Sequence, residues 1–269
     1  MGKSRPGVKS KMEKRKLFIF DLDGTALIPG REPYARLPDS FSGFLDAISA
    51  DGWMWGINST WDVLGQLRLV LVSNVKSRPS FLMGELGMRL AAVDDSHIEF
   101  IQPYTGNMER KVQEIVEKEL YAIMNRICSR FHPSRMHFYG HLFDFTVDEK
   151  EKAEFDDFTS KITSGGLVTG KGAGRFTAYP AILNKAEPVR EIMEITGLSP
   201  EDVVVAGDEV ADIPMMNPDI SKHPICPSNA PDGVKRHVKS SGGIVGSMPY
   251  AEGVIEGFYQ LCNSKSTQG

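Results

Sequence analysis

Two aspartates, Asp21 and Asp23, follow an apolar run at 17–20 that has the composition of a buried strand. Successive side chains of a strand point to opposite faces, but a bend at Gly24 lets both carboxylates converge on one small volume. One carboxylate can then attack phosphorus while the other moves a proton to or from the leaving oxygen. The pair therefore predicts phosphoryl-transfer chemistry, although the same residue types also suit a plain turn after a strand.

Two further predicted strands end in side chains that could join this chemistry. One delivers the hydroxyls of Ser59 and Thr60, and the other is followed by Asp208 and Asp212. Because ligands of a parallel sheet bind beyond the carboxyl ends of its strands, we expect these groups to lie near Asp21. Several carboxylates at one sheet edge repel one another unless a cation joins them, and Mg²⁺ suits oxygen ligands beside a phosphate.

The alternation of strand and helix patterns predicts an α/β fold, with a Rossmann-like doubly wound parallel sheet at its core. After the first strand, a loop precedes an amphipathic helix that contains Phe41, Phe44 and Ile48. The pattern resumes late in the chain with a helix at 186–196, which Gly197 closes.

A block with a different pattern interrupts the α/β alternation. It reads as a long helix at 108–130, a strand at 136–147, a helix around Phe155 and Phe158, and a glycine-punctuated hairpin at 167–179. An inserted block of this kind suits a lid over a site. The predicted units are a disordered basic tail at 1–16, a core domain at 17–96 and 181–269, and an α+β cap at 97–180.

Composition limits the partners of the chain. With 269 residues and a net charge of −4, the protein has no overall basic field for nucleic acid, and a small phosphorylated metabolite fits better. No apolar run reaches membrane-spanning length, and the N-terminus lacks the apolar segment of a signal peptide. Cys128, Cys226 and Cys262 suggest neither a disulfide framework nor a zinc site, so we expect a cytoplasmic protein.

Two other patterns are weaker indications of a ligand site. The segment 165–171 superficially resembles a P-loop, but Gly172 stands where a metal-binding hydroxyl is needed. His132, His137 and His141 are close in sequence but lack the cysteine or carboxylate companions of a metal site. We interpret these histidines as ordinary residues of the cap.

The order of the motifs resembles the haloacid dehalogenase-like phosphatase superfamily over about residues 16–262. The cap lies between the second and third motifs, and it is similar to the larger α/β cap (C2B type) of the Cof-like, type IIB sugar phosphatases. The segment 228–235 is similar to the same branch. The matching residues are Asp21 to Thr25 in the first motif, Ser59 and Thr60 in the second, Lys185 in the third, and Gly207, Asp208 and Asp212 in the fourth.

The resemblance implies a role for each catalytic residue. Asp21 would be the nucleophile that becomes an aspartyl phosphate, and Asp23 would protonate the leaving alcohol and then help to activate water. Lys185 would offset negative charge and grip the phosphoryl group. Either Ser59 or Thr60 would hydrogen-bond a phosphate oxygen, and Ser59 is the preferred choice.

The resemblance also implies Mg²⁺ as a cofactor and a sugar phosphate as the most plausible substrate. The metal would be held by Asp21, the backbone carbonyl of Asp23, and Asp208, with Asp212 supporting the site. This sequence departs from the usual pattern at Ala211, where relatives tend to have asparagine.

A second departure lies in the second motif, where 59–61 reads Ser-Thr-Trp although relatives often have Thr-Gly-Arg. Neither departure removes the nucleophile or the predicted metal ligands. Two alternatives to a phosphatase remain open at this point. One is a sugar phosphomutase, and the other is a catalytically weak protein of the same fold that binds a phosphate ligand.

Overall fold

The structure is a computed structural model that describes residues 16–30, 34–94 and 97–266. Most of the predicted basic tail, residues 1–15, lies outside the described residues. The described strands, in chain order, are β1 (Lys16–Phe20), β2 (Trp53–Asn58), β3 (Phe81–Gly84), β4 (Arg89–Val93), β5 (Ile98–Phe100), β6 (Arg135–Phe138), β7 (Phe143–Thr146), β8 (Leu167–Gly172), β9 (Arg175–Pro180), β10 (Val203–Ala206), β11 (His223–Cys226) and β12 (Ile244–Val245).

α-Helices accompany the strands in both the core and the cap. The described α-helices are α1 (Asp39–Ala50), α2 (Val63–Val72), α3 (Tyr104–Ile115), α4 (Tyr121–Cys128), α5 (Lys152–Ser160), α6 (Ala186–Thr196), α7 (Asp232–Ser240) and α8 (Tyr250–Ser266). None of the described helices is both long enough and apolar enough to cross a membrane.

The larger sheet has eight strands in the order β12-β11-β10-β1-β2-β3-β4-β5. The strands from β12 to β3 are parallel, and β4 and β5 are antiparallel additions at one edge. Strand β1 therefore lies at the centre, between β10 and β2. This central position places the residues that follow β1 at the middle of one sheet edge, where ligands of such sheets bind.

The alternation of side chains along β1 divides the core into two layers. Phe18 and Phe20 pack on one face in a cluster with residues of α1 and α8, whereas Leu17 and Ile19 pack on the other with residues of α6 and α7. A strand that is apolar on both faces requires cover on both. The predicted α/β fold with a doubly wound Rossmann-like core and an inserted cap is confirmed.

The smaller sheet is antiparallel, with the order β6-β7-β9-β8, and belongs to the inserted cap. Phe143, Phe145 and Phe176 turn to one face of this sheet, where they pack against residues of α3, α4 and α5. Leu86 and Met88 of the larger unit join the same apolar cluster. The cap is thus fixed to the core by apolar contact as well as by the chain connections.

Three sequence predictions differ from the structure, two within the cap and one at its boundary with the core. The predicted strand at 136–147 is a hairpin, since β6 and β7 pair across a turn in which Gly140 has a φ of 81°. The predicted helix at 108–130 begins earlier, at Tyr104, and contains a π-helical turn at Val116–Leu120. Strand β5 pairs with β4 in the larger sheet although 97 was predicted as the first cap residue, because three residues are too few to show a periodicity.

Candidate active site

The two acidic motifs, at 21–25 and 207–212, meet because the strands that precede them are neighbours in the sheet. Strands β1 and β10 pair in parallel with Phe20 opposite Ala206, so both chains leave the sheet at one level. The N–H of Asp21 donates to the carbonyl of Ala206 at 2.9 Å. As a result, Asp21, Asp208 and Asp212 are all buried, and each offers an oxygen within 4.8 Å of the others.

Lys185 enters this acidic cluster from the turn before α6. Its Nζ donates to one oxygen of Asp21 and one of Asp212, both at 2.6 Å, and the residue is only 3% exposed. Burial alone would lower the pKa of Lys185, but the two carboxylates outweigh it and raise the pKa above its usual range. Asn58 Nδ2 donates to the Lys185 carbonyl at 2.8 Å and so fixes the backbone beneath the ammonium. Lys185 is therefore a permanent positive charge beside Asp21.

Asp212 organises the loop that carries Asp208. Its second oxygen accepts the backbone N–H groups of Asp208 and Glu209, at 2.9 and 2.8 Å, at the start of the short helix Val210–Met216. A carboxylate in the first turn of a helix suits such orphan donors. Both oxygens of Asp212 are thus engaged, one by Lys185 and one by the backbone.

Asp208 lies against the first motif. The hydroxyl of Thr25 donates to its Oδ1 at 2.8 Å. Burial raises the pKa of Asp208 to about 6, with the Thr25 hydrogen bond opposing the shift. Gly24 has a φ of 85° and lies so close that a Cβ there would be 2.2 Å from Asp208 Oδ2. Gly24 is therefore required both by the backbone conformation and by the position of Asp208.

We expect Gly24→Ala to reduce activity at least about tenfold and to lower the free energy of unfolding by about 1–3 kcal/mol, because the new methyl group must displace Asp208. Gly30→Ala is the matched control, since Gly30 has a φ of 80° but nothing within 4 Å of an added Cβ. The control should show only the cost of the left-handed backbone, about 1 kcal/mol. Denaturant unfolding and phosphate release measure both effects, and equal losses in the two variants would contradict the contact with Asp208.

The acidic cluster fits a divalent cation. Within the part of the chain that the structure describes, Lys185 is the one cationic side chain hydrogen-bonded to the cluster, and it reaches Asp21 and Asp212 but not Asp208. Burial raises the pKa of Asp21, as it does that of Asp208, and the ammonium of Lys185 opposes the shift at Asp21. Buried carboxylates respond in this way when they lack counter-charge, which a Mg²⁺ ion with its preference for oxygen would supply.

The second aspartate of the first motif takes a separate position. The indole Nε1–H of Trp61 donates to Oδ2 of Asp23 at 2.7 Å. The Asp23 side chain is partly exposed, whereas Asp21 is buried against Lys185. The two carboxylates that share one motif therefore have different partners and different access to solvent.

The two hydroxyl candidates of the second motif have different surroundings. Ser59 is fully buried at the end of β2, and its Oγ accepts the N–H of Trp61 at 3.3 Å. This bond leaves the Ser59 hydroxyl hydrogen available to donate to an oxyanion. Thr60 is exposed and lines a cavity of about 350 Å³ between core and cap, together with Trp61 and His141. Ser59 remains our choice for the phosphate contact.

A set of polar side chains, which we call the cap polar face, lies on the side of the cap sheet opposite its phenylalanines. Asp144 is central to it and accepts two hydrogen bonds from Arg175, each 2.9 Å, and one of 3.3 Å from Arg135. Burial raises the pKa of Glu209, and the Arg175 guanidinium is close enough to oppose that shift. Arg175 of the cap polar face is therefore within electrostatic range of the loop of Asp208. The members of the cap polar face are Arg135, His137, Asp144, Arg175 and Thr177.

The three cap histidines do not form a metal cluster among the described residues. His141 is buried beside the cavity, and within the described structure its Nδ1 has no hydrogen-bond partner. Burial lowers the pKa of His141 to about 4, and the charge of Arg89 adds to the shift.

A histidine held neutral in the folded state makes stability fall as the pH drops. Below pH 6.5, His141 binds a proton in the unfolded chain. In the folded protein it does so only below about pH 4. We expect the wild type to lose about 2 kcal/mol relative to His141→Gln between pH 7.5 and pH 5. Denaturant unfolding at both pH values tests this, with exposed His137→Gln as the control. A wild type and His141→Gln with parallel pH dependence would contradict the neutral state.

Several residues of the site were not assigned a role from the sequence. Trp61 was noted only as a departure from the usual motif, although a buried indole N–H generally needs a partner. Asn58 is the last residue of β2 and directly precedes Ser59 and Thr60. This position in the sequence could have indicated that its amide takes part in the site. Asn229 donates to the carbonyl of Gly24 at 2.7 Å and accepts the N–H of Tyr250 at 2.7 Å. It thus ties the first motif to the C-terminal helix, a contact that only the fold reveals.

Comparison with known proteins gives one family match by sequence. A sequence model of haloacid dehalogenase-like hydrolases matches residues 95–255, which is more than half of the chain. No protein of curated function matches the sequence at a significant level.

Solved structures share the fold over nearly the whole chain. The sucrose-phosphatase from Synechocystis sp. PCC6803, in complex with sucrose and phosphate, is 12% identical, with a TM-score of 0.63 over 92% of this chain and 98% of that one. A Thermoplasma acidophilum protein is 18% identical, with a TM-score of 0.60 over 91% and 97%. The haloacid dehalogenase-like hydrolase protein yhjK from Bacillus subtilis is 14% identical, with a TM-score of 0.55 over 92% of both chains. These likenesses concern the fold.

Proposed function

The chain belongs to the haloacid dehalogenase-like hydrolase family, and we propose that it is a magnesium-dependent phosphatase that acts on a small phosphorylated metabolite. The observation that carries the proposal is the division between the two aspartates of the first motif. Asp21 is buried and accepts a hydrogen bond from the Lys185 ammonium, which favours its ionised, nucleophilic form against the effect of burial, whereas Asp23 is held apart and partly exposed. A protein that only binds phosphate needs no acid beside a nucleophile.

The proposed reaction has two steps. First, an oxygen of Asp21 bonds to phosphorus while the bond from phosphorus to the alcohol oxygen breaks, and Asp23 gives a proton to that oxygen. Lys185 offsets the negative charge and Ser59 donates to a phosphoryl oxygen. Then Asp23 takes a proton from a water molecule that attacks phosphorus, and the bond between phosphorus and Asp21 breaks. Inorganic phosphate leaves, and the nucleophile is restored.

The metal has a defined place in the proposal. Asp21, Asp208 and the backbone carbonyl of Asp23 would hold Mg²⁺, with Asp212 supporting the site through Lys185 and the backbone. When bound, Mg²⁺ supplies positive charge to the phosphoryl oxygens. The chain's own contribution is to bring buried oxygens of Asp21 and Asp208 within 4.8 Å of each other, with Asp212 holding Lys185 and the loop of Asp208 in place.

We propose a sugar phosphate as the substrate. The cap polar face supplies guanidinium, carboxylate and hydroxyl groups, which are the donors and acceptors that sugar hydroxyls require. The Synechocystis protein of the same fold holds sucrose together with phosphate. Both observations favour a leaving group with many hydroxyls over an apolar one.

A panel of phosphate esters tests the proposal. We expect purified protein to release inorganic phosphate from sugar phosphates with Mg²⁺, to lose this activity in chelator, and to regain it when Mg²⁺ is restored. Release that persists in chelator would contradict the metal role. Formation of an isomeric sugar phosphate would indicate a phosphomutase instead, and Mg²⁺-dependent binding of phosphate esters without turnover would indicate a binding protein.

A further inference from the structure

The contact between Trp61 and Asp23 fixes more than the position of one carboxylate. Its length of 2.7 Å is that of a strong hydrogen bond to a carboxylate. The indole N–H is a donor with no acceptor capacity, so the oxygen that it meets must always accept. A carbonyl or carboxylate oxygen accepts such a bond better than the hydroxyl oxygen of a carboxylic acid does, so this contact favours Oδ1 of Asp23 as the oxygen that carries the proton.

The rest of Trp61 is held rigidly. Its N–H donates to Ser59 Oγ at 3.3 Å, and its carbonyl accepts from Gln66 Nε2 at 3.0 Å and from the Glu85 N–H at 3.1 Å. Gln66 is fully buried. The Trp61 side chain is itself mostly buried. Its indole N–H therefore has a fixed position, and its hydrogen bond orients the Asp23 carboxylate.

We propose that Trp61 is a positioning residue that reserves Oδ1 of Asp23 for proton transfer. This inference rests on the proposed function, in which Asp23 is the acid and then the base. In the first step the Oδ1–H proton passes to the alcohol oxygen as its bond to phosphorus breaks, and that oxygen keeps the bonding electron pair. In the second step Oδ1 takes a proton from the attacking water. Oδ2 accepts from Trp61 throughout, so one oxygen serves both steps.

The choice of leaving group separates this role from a merely structural one. A poor leaving group such as an alkoxide needs the acid, whereas p-nitrophenolate leaves readily without it. We expect Trp61→Phe to lower kcat for glycerol 2-phosphate by about 10–100-fold and to change KM by less than about threefold. With p-nitrophenyl phosphate, kcat should fall by less than about threefold. Asp23→Asn should show the same selectivity, more strongly.

The matched control is Trp55→Phe, which also removes an indole hydrogen bond, from Trp55 Nε1 to Ser77 Oγ at 3.2 Å, but within the core. This variant should leave the ratio of the two kcat values unchanged. If Trp61→Phe slows both substrates equally, raises only KM, or matches the wild type, Trp61 does not position the acid.

A second measurement does not depend on the folding of a Trp61 variant. The chain has three tryptophans, so ¹H–¹⁵N spectra should contain three indole signals. We expect Asp23→Ala to move one of them upfield and to speed its hydrogen exchange, because the bond to a carboxylate is lost. Three unmoved signals would overturn the inference. Loss of leaving-group selectivity in Asp23→Asn itself would instead count against the proposed function, so the two failures are distinguishable.

Discussion

Asp21→Asn is expected to lower phosphate release by about 10⁴-fold or more, because an amide oxygen cannot form the covalent intermediate. The variant should remain folded. Asparagine has nearly the same shape, and it removes a buried charge whose burial raises the pKa of Asp21. We therefore expect a thermal midpoint no lower than that of the wild type, in line with the cost that active sites impose on stability.

Trapping of the intermediate makes the Asp21 test specific. Acid quenching of the wild type during turnover of a ³²P-labelled ester should leave label on the protein, and hydroxylamine should release it as expected for an acyl phosphate. Asp21→Asn should carry no label, whereas Asp23→Asn should still be labelled from a substrate with a good leaving group. Turnover that survives in Asp21→Asn, or label that persists there, would contradict the aspartyl-phosphate mechanism.

The meeting of Asp21 with Asp208 could be predicted because it depends on few physical rules. Apolar runs identified β1 and β10, and parallel strands present their carboxyl ends at one sheet edge. Lys185 was placed by the order of the motifs alone, since its distance in sequence from Asp21 gives no geometric information.

The partners of Asp23 could not be predicted in the same way. Its contact with Trp61 depends on a loop whose shape is set by the next turn, where Glu85 and Leu86 both have a φ of 58°. The N–H of Glu85 donates to the carbonyl of Trp61, so an uncommon backbone conformation of one loop aligns another. The edge strand β5 was not predicted for a related reason, because it depends on its pairing with β4 and its three residues are too few for a pattern.

Lys185→Met is expected to lower the free energy of unfolding by about 3–5 kcal/mol, measured by denaturant in the presence of chelator. The substitution leaves Asp21 and Asp212 buried without the ammonium that lies 2.6 Å from each. Activity should fall by about 10²–10³-fold, the loss typical of one charge-stabilising donor. Added Mg²⁺ should stabilise the variant, since the cation supplies part of the missing positive charge.

A matched control separates burial from ion pairing in this result. Lys161 pairs with Asp157 at 2.7 Å, almost the same distance, but both side chains are more than two-thirds exposed. Lys161→Met should therefore cost less than about 1 kcal/mol. In an Asp21→Asn background, Lys185→Met should cost at least about 1 kcal/mol less than in the wild type, because one of the two unpaired carboxylates is gone. Equal costs in both backgrounds would mean that Lys185 stabilises the fold by packing its chain, and that the charge balance around Asp21 is set elsewhere.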